Sequence, residues 1–219
     1  LKSASFLVGD GFTRKDYARD ARVLARALLG TYLVVRTPHD RRDDALPPGH
    51  GDKTRAVRIV ETEAYCGPKD RASHARAGLT KRTRTLFGDP GHAYVYLIYG
   101  MYDCFNIVCF EEGRGHAVLV RAGEPVLGIP NDVRADGPGR LTRALGITRT
   151  HDGVDLAGNS EIFVTPRTKR PCIGVSARVG VAYAGEIAEA PWRFFDKESA
   201  FVSRPPRRSI GLGKSTTTR

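Results

Sequence analysis

The chain lacks most of the features that would set it apart from an ordinary single-domain protein. Its 219 residues hold only four cysteines, namely Cys66, Cys104, Cys109 and Cys172, with no CxxC pair and no histidines at zinc-finger spacing. That excludes a zinc module and a disulfide scaffold, and predicts reduced cysteines in or near the core. No stretch approaches the roughly 18 consecutive apolar residues of a membrane span, and no apolar block with a cleavage signal opens the sequence. A soluble, unexported protein with no membrane partner is expected. Repeats at solenoid or propeller periods are absent, as is any compositional break before the tail.

Acidic residues are also in deficit. The 24 Asp and Glu face 35 Lys and Arg, leaving a net charge of +11, which favours a polyanionic partner. Charge alone does not separate a DNA enzyme from an RNA-binding or ribosomal protein, because each gains affinity by displacing counterions from phosphates. With 41% hydrophobic residues the chain can build one sizeable core. One domain over residues 1–203 is expected, followed by a basic tail, residues 204–219, with the composition of a disordered segment.

Apolar positions Tyr17, Ala21, Leu24 and Leu28 recur at helical spacing and predict one helix from Thr13 to Leu29, ended by Gly30. A shorter helix is expected from Gly139 to Leu145. Strands are expected at Tyr32–Val35, Ala56–Ala64, Ala93–Tyr99, Phe105–Phe110, Ala117–Ala122, Ile162–Thr165, Val175–Val181 and Trp192–Phe195, where β-branched and apolar residues dominate. The polar segment 37–55 with Pro47-Pro48 reads as an exposed loop. Strands outnumber helices, so the fold class is α+β on a mostly antiparallel sheet with flanking helices.

Three constellations bear chemistry. Glu61 and Glu63 lie two residues apart in Val60-Glu61-Thr62-Glu63-Ala64-Tyr65, so an extended chain points both to one face. One of them, held rigidly at a strand end, could serve as a general base; equally, both could pair with arginines. The run Tyr94-Val-Tyr96-Leu-Ile-Tyr99-Gly100-Met101-Tyr102 holds four of the eight tyrosines, as stacking surfaces or as amphipathic core filler. The basic stretch with Arg71, Arg76, Lys81, Arg82 and Arg84 could face phosphates, or merely be solvated.

Read in order, these segments resemble the 3-methyladenine (alkyladenine) DNA glycosylases. The resemblance runs through Leu24-Ala-Arg-Ala-Leu-Leu-Gly30, Arg58-Ile-Val-Glu-Thr-Glu-Ala-Tyr65, Gly67-Pro68, His74, the tyrosine run, Asn106-Ile107, Val118-Leu-Val-Arg121-Ala and Glu124-Pro125. It continues in Gly137-Pro-Gly-Arg-Leu-Thr-Arg-Ala-Leu-Gly-Ile147, Ala177-Arg-Val-Gly-Val181 and Pro191-Trp-Arg-Phe194. It implies a monofunctional base-excision-repair enzyme without cofactor or metal, acting as a monomer on double-stranded DNA that contains damaged purines. The implied fold has a curved sheet and a protruding hairpin that probes the minor groove.

The resemblance also implies residue roles. Glu63 corresponds to the catalytic general base, and Arg121 and the backbone carbonyl of Val179 to groups that hold the attacking water. Tyr65, His74 and Tyr96 correspond to the walls around a flipped base, Tyr99 to the residue that fills the gap in the duplex, and Asn106 to the group that crowds the exocyclic amine of guanine. Arg82 and Arg84 are expected on the DNA backbone. The implied compartment is the bacterial cytoplasm with its nucleoid, or the nucleus of a eukaryote. A non-catalytic or narrowed-specificity damaged-DNA-binding homologue is the competing expectation. The chain departs from the family pattern in its long 37–55 loop, at Cys66, and at Lys81 and Thr83.

Overall fold

The computed structural model of the chain describes residues 11–37, 53–98, 100–157 and 161–203. The 37–55 loop falls largely outside the described residues, and Tyr99 and the 204–219 tail lie outside them entirely.

The predicted first helix is two. Helix α1 covers Arg14–Tyr17 and α2 covers Ala21–Leu28. Each has its own aspartate at work: Asp16 accepts from the Thr13 amide at 3.0 Å and hydroxyl at 2.8 Å, and Asp20 caps α2 by accepting from the Arg22 amide at 2.9 Å. Apolar periodicity runs through both helices and hides the break, whereas a short acidic side chain able to bond the backbone starts a new helix. Helix α3, Pro138–Leu145, has proline in its first turn and ends at Gly146 in the left-handed conformation, φ 75°.

Among the described residues eight strands, all paired antiparallel, form one curled sheet of half-barrel shape. They are β1 Tyr32–Thr37, β2 Lys53–Cys66, β3 Ala93–Ile98, β4 Tyr102–Cys109, β5 His116–Leu127, β6 Ile162–Thr165, β7 Ile173–Ser176 and β8 Arg193–Asp196. The main order is β3-β4-β5-β2-β1-β6, with β8 joining β2 to β7. The 14-residue β2 is the hub. Its first part pairs with β1 up to Arg58, Glu61 to Glu63 pair with β8, and β5 runs along the other edge.

Two register shifts in β2–β5 frame the exchange: Ile59 faces Gly123, Glu61 faces Ala122 and Thr62 faces Val120. Val60 is therefore the extra residue on β2 and Arg121 the extra residue on β5. Such bulges bend a strand and re-aim its side chains.

Strand alternation then separates two environments. Val118 and Val120 of β5, Phe105 and Ile107 of β4, and Ala93 and Val95 of β3 enter the main core with Leu24, Leu28, Leu141 and Phe194. Full burial of each such large apolar side chain is worth about 1.5–3 kcal/mol. Their alternates, Ala117, Leu119 and Arg121, Cys104 and Asn106, and Tyr94, Tyr96 and Ile98, line a cavity on the opposite face.

The strand expected at 175–181 stops at Ser176, because the next residues are drawn off the sheet by Arg178, whose guanidinium binds Asp70 and the Ala64 carbonyl. Cys104 and Cys109 are buried as expected, but Cys172 is exposed.

Candidate active site

The cavity has a volume of about 140 Å3, and Leu86, Pro138 and Tyr183 complete a lining drawn mainly from six segments. β2 supplies Tyr65, the turn after it Ala72 to His74, β3 the tyrosines, β4 Asn106, β5 Arg121, and the loop after β7 supplies Val179 to Val181. The candidate residues Tyr65, His74, Tyr96, Asn106, Arg121 and Val179 all meet here. They come from positions 65 to 179 of the sequence and are brought together only by the curl of the sheet.

Glu63 lies directly behind this wall, fully buried and not itself lining the cavity. Three groups donate to its carboxylate: the Val179 amide to Oε1 at 2.7 Å, the Tyr65 hydroxyl to Oε2 at 2.9 Å and Arg121 Nη1 to Oε2 at 3.3 Å. Each donor lines the cavity, so the carboxylate reaches it through them. Burial, reinforced by the Glu63 charge, pushes the Tyr65 phenol well above its usual value, which keeps its proton in place as a donor. Burial alone would weaken the Arg121 charge, but Glu63 and Glu61 outweigh it and hold the guanidinium above its ordinary value. Where the resemblance points to the Val179 carbonyl, the bond observed is made by its amide.

The aromatic walls are built from few contacts. The ring of His74 packs on Tyr96 at 4.4 Å between centroids, and its Nδ1 is 3.0 Å from the Tyr94 hydroxyl. Burial, then the nearby Arg82 charge, lowers the His74 pKa from 6.5, so the ring is neutral at pH 7 and has one donor nitrogen. Burial pushes the Tyr94 phenol up to about 12 and raises that of Tyr96 further. The Arg178 guanidinium covers a face of Tyr65 at 4.8 Å, so a cavity ligand has only the other face of that ring. Both Asn106 amide hydrogens go to backbone carbonyls, those of Tyr94 at 3.1 Å and Cys104 at 3.3 Å. Toward a ligand Asn106 therefore offers only an acceptor.

An open groove of about 450 Å3 adjoins the cavity, sharing Ala72, Ser73, His74 and Tyr183 with it. Arg71, Arg76 and Arg82 line it, with no carboxylate among its lining residues, and Tyr183 stands 71% exposed at the shared rim. Arg84, paired with Arg82 in the sequence reading, lies apart in a second surface depression with Leu79, Phe87 and Glu112. Among the described residues no cluster of His, Cys, Asp and Glu could hold a metal ion.

Sequence reasoning passed over the ion pair behind the site. Asp70 and Arg178 join through both guanidinium ends at 2.6 and 2.9 Å, and neither side chain is exposed. Asp70 also accepts from the Cys66 and Ala72 amides. The only signal available was an aspartate just after Gly67-Pro68, where a turn is expected to need a side-chain acceptor.

The sequence is similar to known proteins. Residues 15–200 match the family described as methylpurine-DNA glycosylase (MPG). A relative from Anaeromyxobacter dehalogenans (strain 2CP-C) is 50% identical over 190 residues, which is 86% of this chain and 84% of that protein. One from Methanocella arvoryzae is 45% identical over 202 residues, covering 87% and 94% of the two chains, and one from Legionella pneumophila (strain Lens) is 43% identical over 192 residues, covering 87% and 97%. All three carry the name "Putative 3-methyladenine DNA glycosylase". With the family matched over nearly the whole described fold, the chain belongs to the methylpurine-DNA glycosylases, DNA-repair hydrolases that act on N-glycosyl bonds.

Proposed function

We propose that the chain acts as a monomer on duplex DNA, rotates an alkylated or otherwise damaged purine into the cavity, and hydrolyses its N-glycosyl bond with a water activated by Glu63. A base inside the stack is out of reach of any buried carboxylate, so extrusion precedes chemistry, at a cost of a few kcal/mol that damaged pairs reduce. The observation that carries this reading is the placement of a buried carboxylate whose three donors, Tyr65, Arg121 and the Val179 amide, all line one aromatic cavity.

The chemistry follows from that geometry. As the bond between the sugar C1′ and the base nitrogen breaks, the electron pair leaves with the base and positive charge develops on the sugar. A water at the junction of Arg121, Val179 and Glu63 attacks C1′ and passes its proton to Glu63, whose negative charge also stabilises the cationic sugar. Arg121 makes the longest of the three contacts, 3.3 Å, so that is the one a water most readily opens. A cationic alkylated ring is drawn to the aromatic faces of Tyr96 and the free side of Tyr65. His74 contacts the base edge, and Asn106 discriminates at the exocyclic position.

The groove with Arg71, Arg76 and Arg82 takes the phosphates that flank the extruded nucleotide, with Arg84 on a neighbouring stretch of backbone. Tyr99, assigned by resemblance to the gap left in the stack, follows Ile98, the last residue of β3, in the sequence.

The test is incubation with a duplex that holds one alkylated purine, followed by alkali to break the strand at abasic sites. Breaks at the lesion are expected. Their absence on every damaged purine, with binding retained, would instead favour a non-catalytic damaged-DNA-binding homologue.

A further inference from the structure

Glu61 is a buried carboxylate that this chemistry leaves unused. It does not line the cavity, yet it takes four hydrogen bonds: from Arg121 Nε at 2.9 Å, Arg193 Nε at 2.7 Å and the Ser203 hydroxyl at 2.9 Å on Oε1, and from the Ser203 amide at 2.6 Å on Oε2. A fold that needed only to fill this space would do as well with apolar side chains, since buried ion pairs are often replaced by them without loss of stability. What a carboxylate does here, and an apolar chain cannot, is fix the direction of Arg121.

Arg121 shares the cavity face with Ala117 and Leu119 but, as the extra residue of the β5 bulge, has no β2 residue opposite it. Its guanidinium is shared out edge by edge: Nε to Glu61, Nη1 to Glu63 and Nη2 to the Ser203 hydroxyl at 3.4 Å. Without the Glu61 anchor the same fork would close on Glu63 with two parallel bonds, the preferred geometry of an arginine with a carboxylate. With the Val179 amide already on Oε1 and the Tyr65 hydroxyl on Oε2, two arginine bonds would fill the remaining acceptor sites of Glu63 and leave none to take a proton from water.

We propose that Glu61, backed by Arg193 and by Ser203 from the segment after β8, is a positioning residue that holds Arg121 to a single contact with Glu63. The inference rests on the reading of Glu63 as the base. In Glu61→Gln the shape is kept, but the charge that competes for Arg121 is lost.

The experiment measures single-turnover excision and affinity on one alkylated-purine duplex for wild type, Glu61→Gln, Arg121→Lys, the double variant, Ser203→Ala and Glu63→Gln. Lysine at 121 keeps the charge but, as a single point charge without the planar fork, cannot close on Glu63 with two parallel bonds. Glu61→Gln is expected to slow excision on the order of 100-fold at unchanged affinity. In the Arg121→Lys background the same change should cost almost nothing more, because the two residues act as a unit. Ser203→Ala, which leaves every charge in place, should slow excision by a smaller factor.

Equal losses in both backgrounds, a parallel fall in affinity and rate, or no loss in Glu61→Gln would overturn the inference. If Glu61→Gln does not fold, Ser203→Ala decides: slowed excision at unchanged affinity supports the inference, and wild-type excision overturns it. Turnover by Glu63→Gln would remove the base assignment itself, an outcome distinct from additivity at Glu61.

Discussion

Asp70 and Arg178, 108 residues apart in sequence, form a fully buried two-pronged ion pair that ties the turn after β2 to the loop after β7. The residue next to Arg178 is Val179, whose amide donates to Glu63. The pair therefore sets the distance between the buried carboxylate and the loop that lines the cavity.

Breaking that pair from one side should be costly. Asp70→Asn or Arg178→Met leaves a charge buried without its partner and is expected to destabilise the fold by about 3–5 kcal/mol. Combining the two should recover much of that loss, because neither charge remains. Excision should stay low in the double variant, since nothing then holds the Val179 amide against Glu63. Denaturant midpoints together with single-turnover rates check both halves, and recovery of activity along with stability would show that the pair is purely structural.

Asn106 should set discrimination against guanine. Its amide hydrogens are already committed to the Tyr94 and Cys104 carbonyls, so an extra exocyclic amine meets a side chain that cannot yield without leaving buried donors unpaired, at about 1–3 kcal/mol. Asn106→Ala or Asn106→Ser should raise the rate on undamaged guanine relative to alkylated adenine in otherwise identical duplexes. If both rates fall together at a constant ratio, Asn106 serves the β3–β4 pairing alone.

Stability should fall early on acidification. His74 and His116 both sit below the ordinary imidazole value of 6.5, with burial the leading cause in each. Below that value the unfolded chain binds protons that the folded chain refuses, so stability declines as the pH drops from 6.5 toward the folded values. Asp16, Asp20, Asp136 and Asp155 are lowered from 3.8, and their contribution is lost only in the more acidic range. Melting temperatures should therefore begin to drop below pH 6.5, and His116→Gln should flatten that first decline. A melting temperature that holds constant down to the carboxylate range would contradict the assignment.

The fold class and most strands were legible in the sequence because each rests on a local signal, whereas Asn106, Arg121 and Val179 were reached only through the family resemblance. Alternation placed Glu61 and Glu63 on one face of β2, and Tyr94 and Tyr96 on one face of β3. The break between α1 and α2 was not legible, because apolar spacing continues across it while two aspartates cap separate helices. The early end of β7 depends on Arg178 reaching Asp70, a contact with no local trace. Nor does the sequence show that Arg121 sits in a bulge, from which one guanidinium reaches both Glu61 and Glu63. The tyrosine run told of stacking surfaces, but not that Arg178 already covers a face of Tyr65.

The most direct test of the account is single-turnover excision by wild type and Glu63→Gln on a duplex with one alkylated purine, with affinity measured on the same duplex. Glutamine preserves the shape of Glu63 but cannot take a proton from water. The account predicts cleavage at the lesion by wild type, none detectable by Glu63→Gln, and equal affinity for both. Excision by Glu63→Gln at a rate near that of wild type would contradict it.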